Sequence, residues 1–243
     1  MSPAWTMIDT HAHILPGLDD GAADLEEAVL MAKIAQRDGI TGMVATPHTL
    51  NGVYVNTRRT VEQACEALNS ELRGRGVDLE ILPGCEAHFS PEVLGALGDG
   101  SLAFLGGAGR ALLLELPMQI VPRLVVDFIH GLADRGILPV IAHPERNPVI
   151  QRDPGVLGDL VRAGAWSQIT AKSVTGGFGR GLSRFCRDLV EEDLVHLVGS
   201  DAHWSDTRRP LLSGARDRLY DVGGEALVRE LFEENVFSVL SIK

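Results

Sequence analysis

The sequence contains few cysteines, and this scarcity excludes two kinds of chemistry. Only three cysteines occur among the 243 residues, at positions 65, 85 and 186, and no pair has the C-x-x-C spacing. A disulfide framework is therefore not expected, and three reduced thiols favour a cytoplasmic location. Cysteine-dependent tyrosine phosphatases need an arginine six residues after their nucleophile, whereas these positions hold Glu71, Pro91 and Glu192. No cysteine in this chain can act in that way.

Long apolar runs and an excess of positive charge are also missing. No stretch approaches the roughly 20 apolar residues of a membrane span, and residues 1–5 lack the basic and apolar regions of a signal peptide. The formal net charge is −11, which argues against broad nucleic-acid binding because such binding needs basic patches. We therefore expect no membrane insertion, no nucleic-acid partner and a cytoplasmic protein.

The remaining composition is typical of one globular domain over residues 1–243. Hydrophobic residues make up 45% and charged residues 23% of the chain, which is ample for one large core. Helical apolar spacing or capping residues predict helices over residues 25–35, 57–72, 120–135 and about 181–192. The glycine-rich stretch at residues 176–181 is either a mobile rim loop that closes on a substrate or a plain flexible loop.

Two histidines, His11 and His13, close a short apolar run near the N-terminus. Side chains two positions apart on a strand point the same way, so both imidazoles can bind one metal ion. Further short apolar runs, typical of buried parallel strands, also end at potential ligands, and in a parallel barrel such strand ends share one face. The residues placed in this way are His48, Glu86, Glu115, His143 and Asp201, with His203 two residues later and Asp19 and Asp20 beyond the first strand.

Each of these residues has a simpler interpretation when it is taken alone. A histidine after a strand is commonly a core or capping residue, and an acid there is commonly a helix cap. The shared placement of the whole set favours a metal site instead. Three histidines lie outside the pattern: His130 in a predicted helix and His196 in a predicted strand favour structural roles, while His88 either lines the pocket or is structural.

The ligand types restrict the metal and the reaction. Imidazole and carboxylate without a nearby thiolate suit manganese, iron, zinc, cobalt or nickel better than calcium or magnesium. One catalytic zinc takes three protein ligands and an open position, so this many ligands indicates two or three ions, with a carboxylate such as Glu86 between them. Clustered metals activate a shared water and bind a phosphoryl or carbonyl oxygen, which predicts hydrolysis.

Arginines in two of the ligand-bearing loops indicate a phosphate substrate. Arg146 lies three residues after His143, and Arg208 and Arg209 follow His203. A guanidinium group matches phosphate oxygens in bidentate fashion. The alternative for each is a surface ion pair, with Glu145 for Arg146 and with Asp206 for Arg208. Beside a multi-metal site we favour phosphate binding for Arg146 and Arg208, and Arg209 stays undecided.

Taken together, these residues resemble the polymerase-and-histidinol-phosphatase (PHP) superfamily, and within it the bacterial CpsB/YwqE-type manganese-dependent protein-tyrosine phosphatases. The resemblance runs nearly end to end. It departs from the family pattern at Cys85 and Lys172, which bears on substrate preference and not on the metal ligands. The matching segments are MIDTHAHILPGLDDG at residues 7–21, ATPH at 45–48, LPGCE at 82–86, PVIAHPERN at 139–147, TGGFG at 175–179 and GSDAH at 199–203.

The resemblance implies an α/β fold, a distorted single-domain (β/α)7 PHP barrel, with up to three divalent ions, manganese first. The matching positions assign His11, His13, Glu86 and Asp201 to the first metal. Glu86 would bridge to a second metal bound by Glu115 and His143, while Asp20, His48 and His203 would hold the third. Arg146 and Arg208 would bind the substrate phosphate, and Asp19 is left as a loop acid.

The leading functional prediction is hydrolysis of phosphotyrosine in proteins by a metal-bridging hydroxide, with a tyrosine autokinase of capsule or exopolysaccharide export as the family's partner. A second interpretation is a PHP hydrolase of a small phosphate ester, such as histidinol phosphate, or of a phosphodiester. A third is a metal-stabilised binding module without turnover, against which the intact ligand set argues. The candidate general acids are His48, Asp206 and a metal-bound water, and the sequence does not choose among them.

Overall fold

The structure, a computed structural model, describes residues 7–107 and 110–241, in which strands and helices alternate. The ends of the predicted domain, residues 1–6 and 242–243, lie outside the described residues. The strands are β1 (Met7–Ala12), β2 (Ile40–Ala45), β3 (His48–Thr49), β4 (Glu80–Pro83), β5 (Glu86–His88), β6 (Ala111–Glu115), β7 (Leu138–Ala142), β8 (Trp166–Thr170) and β9 (Leu197–Gly199). The α-helices are α1 (Leu25–Asp38), α2 (Arg58–Gly74), α3 (Glu92–Gly98), α4 (Val125–Ala133), α5 (Pro148–Arg152), α6 (Gly155–Arg162), α7 (Ala171–Val174), α8 (Arg180–Glu191), α9 (Ser213–Arg229) and α10 (Asn235–Leu240).

The strands pair in parallel, in the orders β1-β2-β4 and β3-β5-β6-β7-β8-β9. Two residues separate β2 from β3 and two separate β4 from β5, so each pair occupies one strand position that is broken by a kink. Beyond β9, the amide of Asp201 donates to the carbonyl of His11 and the amide of His13 donates to the carbonyl of Ala202, each at 2.8 Å. The last strand position thus lies beside the first, and the predicted α/β class, a distorted barrel of seven parallel positions, is confirmed.

The ends of α1 follow from the local sequence. The Asp24 carboxylate accepts a hydrogen bond from the amide of Glu27 at 2.9 Å, which satisfies a donor in the first turn. Gly39 ends the helix with φ of 91°, a left-handed conformation that favours glycine. The helix predicted over residues 25–35 is therefore confirmed and extends to Asp38.

Two boundary predictions are wrong. The helix predicted from residue 120 begins only at Val125, because Pro122 disfavours the helical conformation of the residue before it. His196 lies just before β9 and not inside it. Its ring stacks on that of Trp166 with centroids 5.3 Å apart, and its Nδ1 accepts from the amide of Ser167 at 3.2 Å. These contacts with Trp166 and Ser167 nevertheless give His196 the structural role that the sequence predicts.

The strands bury apolar side chains on both faces, as a parallel sheet covered by helices requires. Among the fully buried side chains are Leu112, Leu113 and Leu114 of β6, which line both sides of that strand. Within the described ranges, no helix is long and apolar enough to cross a bilayer. The polar side chains at the carboxyl ends of the strands are the exception to this apolar interior, and they form the candidate site.

Candidate metal centre

The histidines and acids of the site lie at or just after the carboxyl ends of the strands, so the parallel topology brings them to one mouth. His11 is the penultimate residue of β1. His143 directly follows β7, and Asp201 lies two residues after the end of β9. Both His143, with φ of 34°, and Asp201, with φ of 52°, have left-handed backbones. Such a conformation costs on the order of 1–3 kcal/mol in a non-glycine residue and is found mainly at functional sites.

The first ligand group consists of His11, His13 and Asp201, all of them buried. The Nε2 atoms of the two histidines lie 3.3 Å apart. Asp201 Oδ1 lies 3.4 Å from His11 Nε2 and 3.5 Å from His13 Nε2. Glu86 Oε2 lies 3.4 Å from each of the same nitrogens. Four of the sequence-predicted ligands therefore point their donor atoms at one position.

The second group lies around the carboxylates of Glu86 and Glu115 and includes His143 and His48. Glu86 Oε1 lies 2.9 Å from His143 Nε2, and Glu115 Oε1 lies 3.9 Å from the same nitrogen. His48 Nδ1 lies 3.1 Å from Glu86 Oε2 and 3.8 Å from Glu115 Oε2. The carboxylate of Glu86 thus lies between the first and second groups, which is the geometry of a bridging ligand.

The third group is formed by His13, Asp20, His48 and His203. Asp20 Oδ1 lies 3.6 Å from the Nε2 atoms of both His48 and His203. His48 faces this group through Nε2 and the second group through Nδ1, so one imidazole adjoins both. Asp20 is the exposed member of the group, with 52% of its side chain accessible.

Two buried atoms in this cluster, Glu86 Oε2 and His48 Nδ1, make no well-directed hydrogen bond among the described residues, although they lie 3.1 Å from each other. An unpaired buried polar atom costs on the order of 1–3 kcal/mol. The facing Nε2 atoms of His11 and His13 add to this, because two imidazole nitrogens can share one hydrogen at most. A divalent cation accepts lone pairs from all of these atoms at once, so the residues fit metal ions in chemistry as well as in position.

The electrostatics of the cluster keep Glu86 and Asp201 ionised. Burial by itself raises the pKa of Glu86, but His11, His13 and His143 outweigh it and hold that pKa well below its usual value. The pKa of Asp201 is likewise lowered, against burial, by His11, His13, His143 and Arg208. Burial and the positive charge that a protonated His13 carries lower the pKa of His203 to about 2, so the His203 imidazole is neutral with a lone pair available.

Asp19 has a larger role than that of a loop acid. Its Oδ2 accepts from His13 Nδ1 at 2.6 Å and from the amide of His48 at 3.0 Å. Burial raises the pKa of Asp19, but the contact with His13 and the hydrogen bonds outweigh it and bring that pKa to about 2. The loop can approach this closely because a Cβ at Gly21 would lie only 2.0 Å from the His13 carbonyl oxygen. The family resemblance selected Asp20 and not Asp19 as a ligand, but it did not predict that Asp19 contacts His13 and His48.

Gln168 supports the other histidine of the pair and was not predicted from sequence. Its Oε1 lies 2.8 Å from His11 Nδ1, and its Nε2 donates to Thr10 Oγ1 at 2.8 Å. Because the amide oxygen accepts, the Nδ1 of His11 carries the hydrogen and Nε2 is left free to bind metal. A glutamine inside the predicted strand at residues 166–170 was the available signal, since a buried amide needs partners.

Both predicted phosphate-binding arginines contact Asp201 and not the acids next to them in sequence. Arg146 Nη1 donates to Asp201 Oδ2 at 2.6 Å, and Arg208 Nη2 contacts the same oxygen. Glu145, the surface partner considered for Arg146, is instead buried. Its Oε1 accepts from the amide and the hydroxyl of Thr170, each at 3.0 Å. That anchor holds the turn that carries Arg146 at the mouth.

The remaining histidines divide as their surroundings dictate. His88 Nδ1 lies 3.2 Å from Glu115 Oε2, and this hydrogen bond, against partial burial, raises the pKa of His88. His88 therefore lines the edge of the second ligand group. His130 lies within α4, away from the ligand groups. The loop at residues 176–181 lies at the mouth, where the Phe178 ring is 5.6 Å from the guanidinium carbon of Arg146, and its closing on a substrate stays a prediction.

Comparison with known proteins places these features among characterised relatives. The family model described as "Capsular polysaccharide synthesis, CpsB/CapC" matches residues 7–241. The tyrosine-protein phosphatase YwqE of Bacillus subtilis is 44% identical over 202 residues, which cover 83% of this chain and 79% of that protein. The putative tyrosine-protein phosphatase CapC of Staphylococcus aureus is 35% identical over 208 residues, which cover 85% of this chain and 80% of that protein.

A solved structure is similar over almost the whole length. A chain from the crystal structures of YwqE from Bacillus subtilis and CpsB from Streptococcus pneumoniae, described as unique metal-dependent tyrosine phosphatases, superposes with a TM-score of 0.93. The two chains are 40% identical, and the match covers 98% of this chain and 95% of the other. Fold, ligand groups and relatives therefore agree on one kind of site.

Proposed function

Because the chain belongs to the CpsB/CapC family, we propose that it is a metal-dependent phosphatase that hydrolyses phosphotyrosine in proteins. The observation that carries this proposal is the position of Asp201. One carboxylate oxygen faces the ligand nitrogens of His11 and His13, and the other accepts from Arg146 and Arg208. The Asp201 side chain thus contacts both the candidate metal ligands and the candidate phosphate-binding arginines. This places the two sets side by side, where they can act on one phosphate ester.

We propose a ligand assignment that follows the three groups. His11, His13, Glu86 and Asp201 hold the first ion; Glu86 bridges to a second ion held with Glu115 and His143; Asp20, His48 and His203 hold the third. The oxygens and imidazole nitrogens of this set suit manganese, iron, zinc, cobalt or nickel, and we place manganese first because of the resemblance to manganese-dependent phosphatases. When bound, such ions supply Lewis acidity to the phosphoryl oxygens and lower the pKa of water for attack on phosphorus.

The protein's own residues bind and orient the ester. Arg146 and Arg208 lie 24% and 20% exposed at the mouth, so they can exchange part of their contact with Asp201 for the oxygens of a phosphoryl group. Fixed guanidinium groups stabilise the negative charge that these oxygens carry in the transition state. A phenolate leaving group, with a phenol pKa of about 10, needs less help from an acid than an alkoxide does. This agrees with the sequence analysis, in which no single residue stands out among the candidate acids His48, Asp206 and a metal-bound water.

Residues from both ends of the chain contribute to the same mouth, from His11 to Arg208. We therefore propose that residues 1–243 act as one catalytic domain. The physiological substrate that we propose is a phosphorylated tyrosine autokinase of capsule or exopolysaccharide export, on the ground of the family's place in capsular polysaccharide synthesis. Three free, buried cysteines are consistent with action in the reducing cytoplasm.

The test is phosphate release from a phosphotyrosine peptide by metal-stripped protein, with and without added manganese. The wild type is expected to require the metal, and His11→Ala is expected to stay inactive because it removes a ligand of the first group. Histidinol phosphate and a bis-aryl phosphodiester serve as competing substrates. Release from either one, together with none from the peptide, would contradict the proposal and favour the small-ester alternative.

A further inference from the structure

Large apolar side chains are exposed around the charged mouth. Eleven such side chains are exposed in the described part of the chain, and eight of them lie on four loops that follow strands or ligands of the site. Val53 and Val55 are each 75% exposed and Ile120 is 56% exposed. Two of the eight, Leu124 and Leu211, lie at the far ends of their loops, next to α4 and α9. We call the other six the apolar rim: Val53, Val55, Met118, Ile120, Phe178 and Trp204.

Two of these loops are attached directly to the metal site and the phosphate site. Tyr54, between the two valines, stacks on the ring of His48 with centroids 6.4 Å apart and planes inclined by 11°. Asn147, the residue after Arg146, donates through Nδ2 to the carbonyl of Pro117 at 3.1 Å and to that of Ile120 at 3.3 Å. The loops that carry Val53, Val55, Met118 and Ile120 are therefore held at fixed positions at the mouth.

The other two loops bring aromatic rings to the same edge. The Phe178 ring lies 5.6 Å from the guanidinium carbon of Arg146 and 4.7 Å from Lys172 Nζ. The Trp204 ring meets that of His203 edge to face, with centroids 5.7 Å apart. Both rings stay about 40% exposed. Members of the apolar rim therefore lie beside Arg146 and beside His203 of the third ligand group.

A phosphotyrosine residue has its phosphate at one end and its backbone at the other. When the phosphate lies between Arg146 and Arg208, the backbone and its neighbours must leave the site across the apolar rim. Exposed apolar side chains that are grouped around a site typically mark an interaction surface. A small, fully charged ester would occupy only the charged interior and would leave this surface in water.

We propose that the apolar rim binds apolar side chains that flank the phosphotyrosine in an extended segment of the protein substrate. This inference rests on the proposed function and specifies its substrate class. Phosphate position is set by the arginines, whereas preference among phosphotyrosine segments is set by apolar contact with the rim.

The experiment compares two synthetic phosphotyrosine peptides of equal length and charge, one with valine and leucine beside the phosphotyrosine and one with serine there. The enzymes are the manganese-loaded wild type, Val53→Ser/Val55→Ser and Ile120→Ser. Leu30→Ser, at a residue on α1 that is 44% exposed, is the matched control. p-Nitrophenyl phosphate reports hydrolysis that involves no flanking residues.

The wild type and Leu30→Ser are expected to hydrolyse the apolar peptide with a kcat/KM about fivefold to tenfold above that of the serine peptide, the scale of partly burying such side chains. The rim variants should lose this preference and keep the wild-type rate on p-nitrophenyl phosphate. Equal kcat/KM for both peptides in the wild type would overturn the inference. So would rim variants that change only the oligomeric state in sedimentation while the peptide preference stays. Absence of hydrolysis with every phosphotyrosine substrate would instead refute the proposed function.

Discussion

Asp19 Oδ2 lies 2.6 Å from His13 Nδ1 and fixes the orientation of a histidine that faces two ligand groups. The carboxylate holds the hydrogen on Nδ1, which leaves His13 Nε2 directed at Glu86 and Asp201. Such outer contacts set the tautomer and the basicity of a metal-binding imidazole. Asp19 is therefore a positioning residue, although it lies next to the proposed ligand Asp20.

Replacement Asp19→Asn is expected to weaken manganese binding by about 10–100-fold, the range for loss of an outer-shell carboxylate. The amide retains the shape of the side chain but removes the charge that supports His13. Manganese titration by calorimetry measures the effect. Asp78→Asn, at an exposed position before β4, is the control. Unchanged affinity in Asp19→Asn would mean that the negative charge of Asp19 contributes nothing to metal binding.

Arg146→Ala is expected to lower kcat/KM for p-nitrophenyl phosphate by about 10²–10³-fold, the usual cost of removing one fixed donor to the transition state. Arg146→Lys should recover only part of this loss, because an ammonium group cannot make the bidentate contact. Steady-state kinetics with saturating manganese make the measurement.

The matched control for the arginines is Arg209→Ala, which removes the neighbouring guanidinium. Arg209 lines a cleft of about 380 Å³ beside Lys172. Among the described residues, Arg146 and Arg208 contact Asp201 and Arg209 does not. The Arg209→Ala variant should keep kcat/KM within about twofold of the wild-type value, because surface charges act weakly at a distance. Equal losses for Arg209→Ala and Arg146→Ala would show a general charge effect and not a specific phosphate contact.

Metal binding is expected to stabilise the fold. At a metal concentration of 100 times Kd, one site adds about 2.7 kcal/mol to the free energy of unfolding. Glu86→Gln should lose most of this gain, since both carboxylate oxygens of Glu86 face ligand nitrogens. Urea denaturation with and without manganese tests this, with Glu66→Gln on the exposed side of α2 as the control. A gain that is equal in both variants would contradict the bridging position of Glu86.

The cysteines are expected to be unreactive in the folded protein at pH 8. Burial raises the pKa of Cys65 and that of Cys85 to about 12, and it also raises the pKa of Cys186. A thiol titrating near 12 carries very little thiolate at pH 8, and alkylation requires the thiolate. Iodoacetamide should therefore leave both mass and phosphatase activity unchanged, while all three thiols should react in urea. Loss of activity without denaturant would argue for an accessible, functional cysteine.

The candidate ligands could be identified from the sequence because their signal is local. A short apolar run that ends in histidine or a carboxylate predicts a strand end, and parallel strands place such ends on one face. His11 and His13 needed only the period of a strand, and the match of Arg146 and Arg208 to phosphate follows from guanidinium chemistry. The helix predicted over residues 25–35 succeeded for the same reason, since Asp24 and Gly39 mark its ends.

The supporting residues could not be predicted, because their partners are distant in sequence. Gln168 contacts His11 across 157 positions, and Glu145 contacts Thr170 across 25. Two adjacent aspartates, Asp19 and Asp20, differ in role only because the loop folds back onto His13 at Gly21. The choice of Asp201 and not Glu145 or Asp206 as the partner of the arginines likewise depends on where the strand ends meet.

By itself, the sequence determined the chemistry: which side chains can bind metal and phosphate, that no cysteine attacks phosphorus, and that the strands are parallel. These properties depend on residue type and on spacing along the chain. The tertiary structure decided how Glu86 and Asp201 divide their oxygens between neighbouring groups, which acid orients His13, and which apolar loops surround the mouth. Those relations arise from contacts between distant segments, which the closing of the seven strand positions brings within hydrogen-bonding distance.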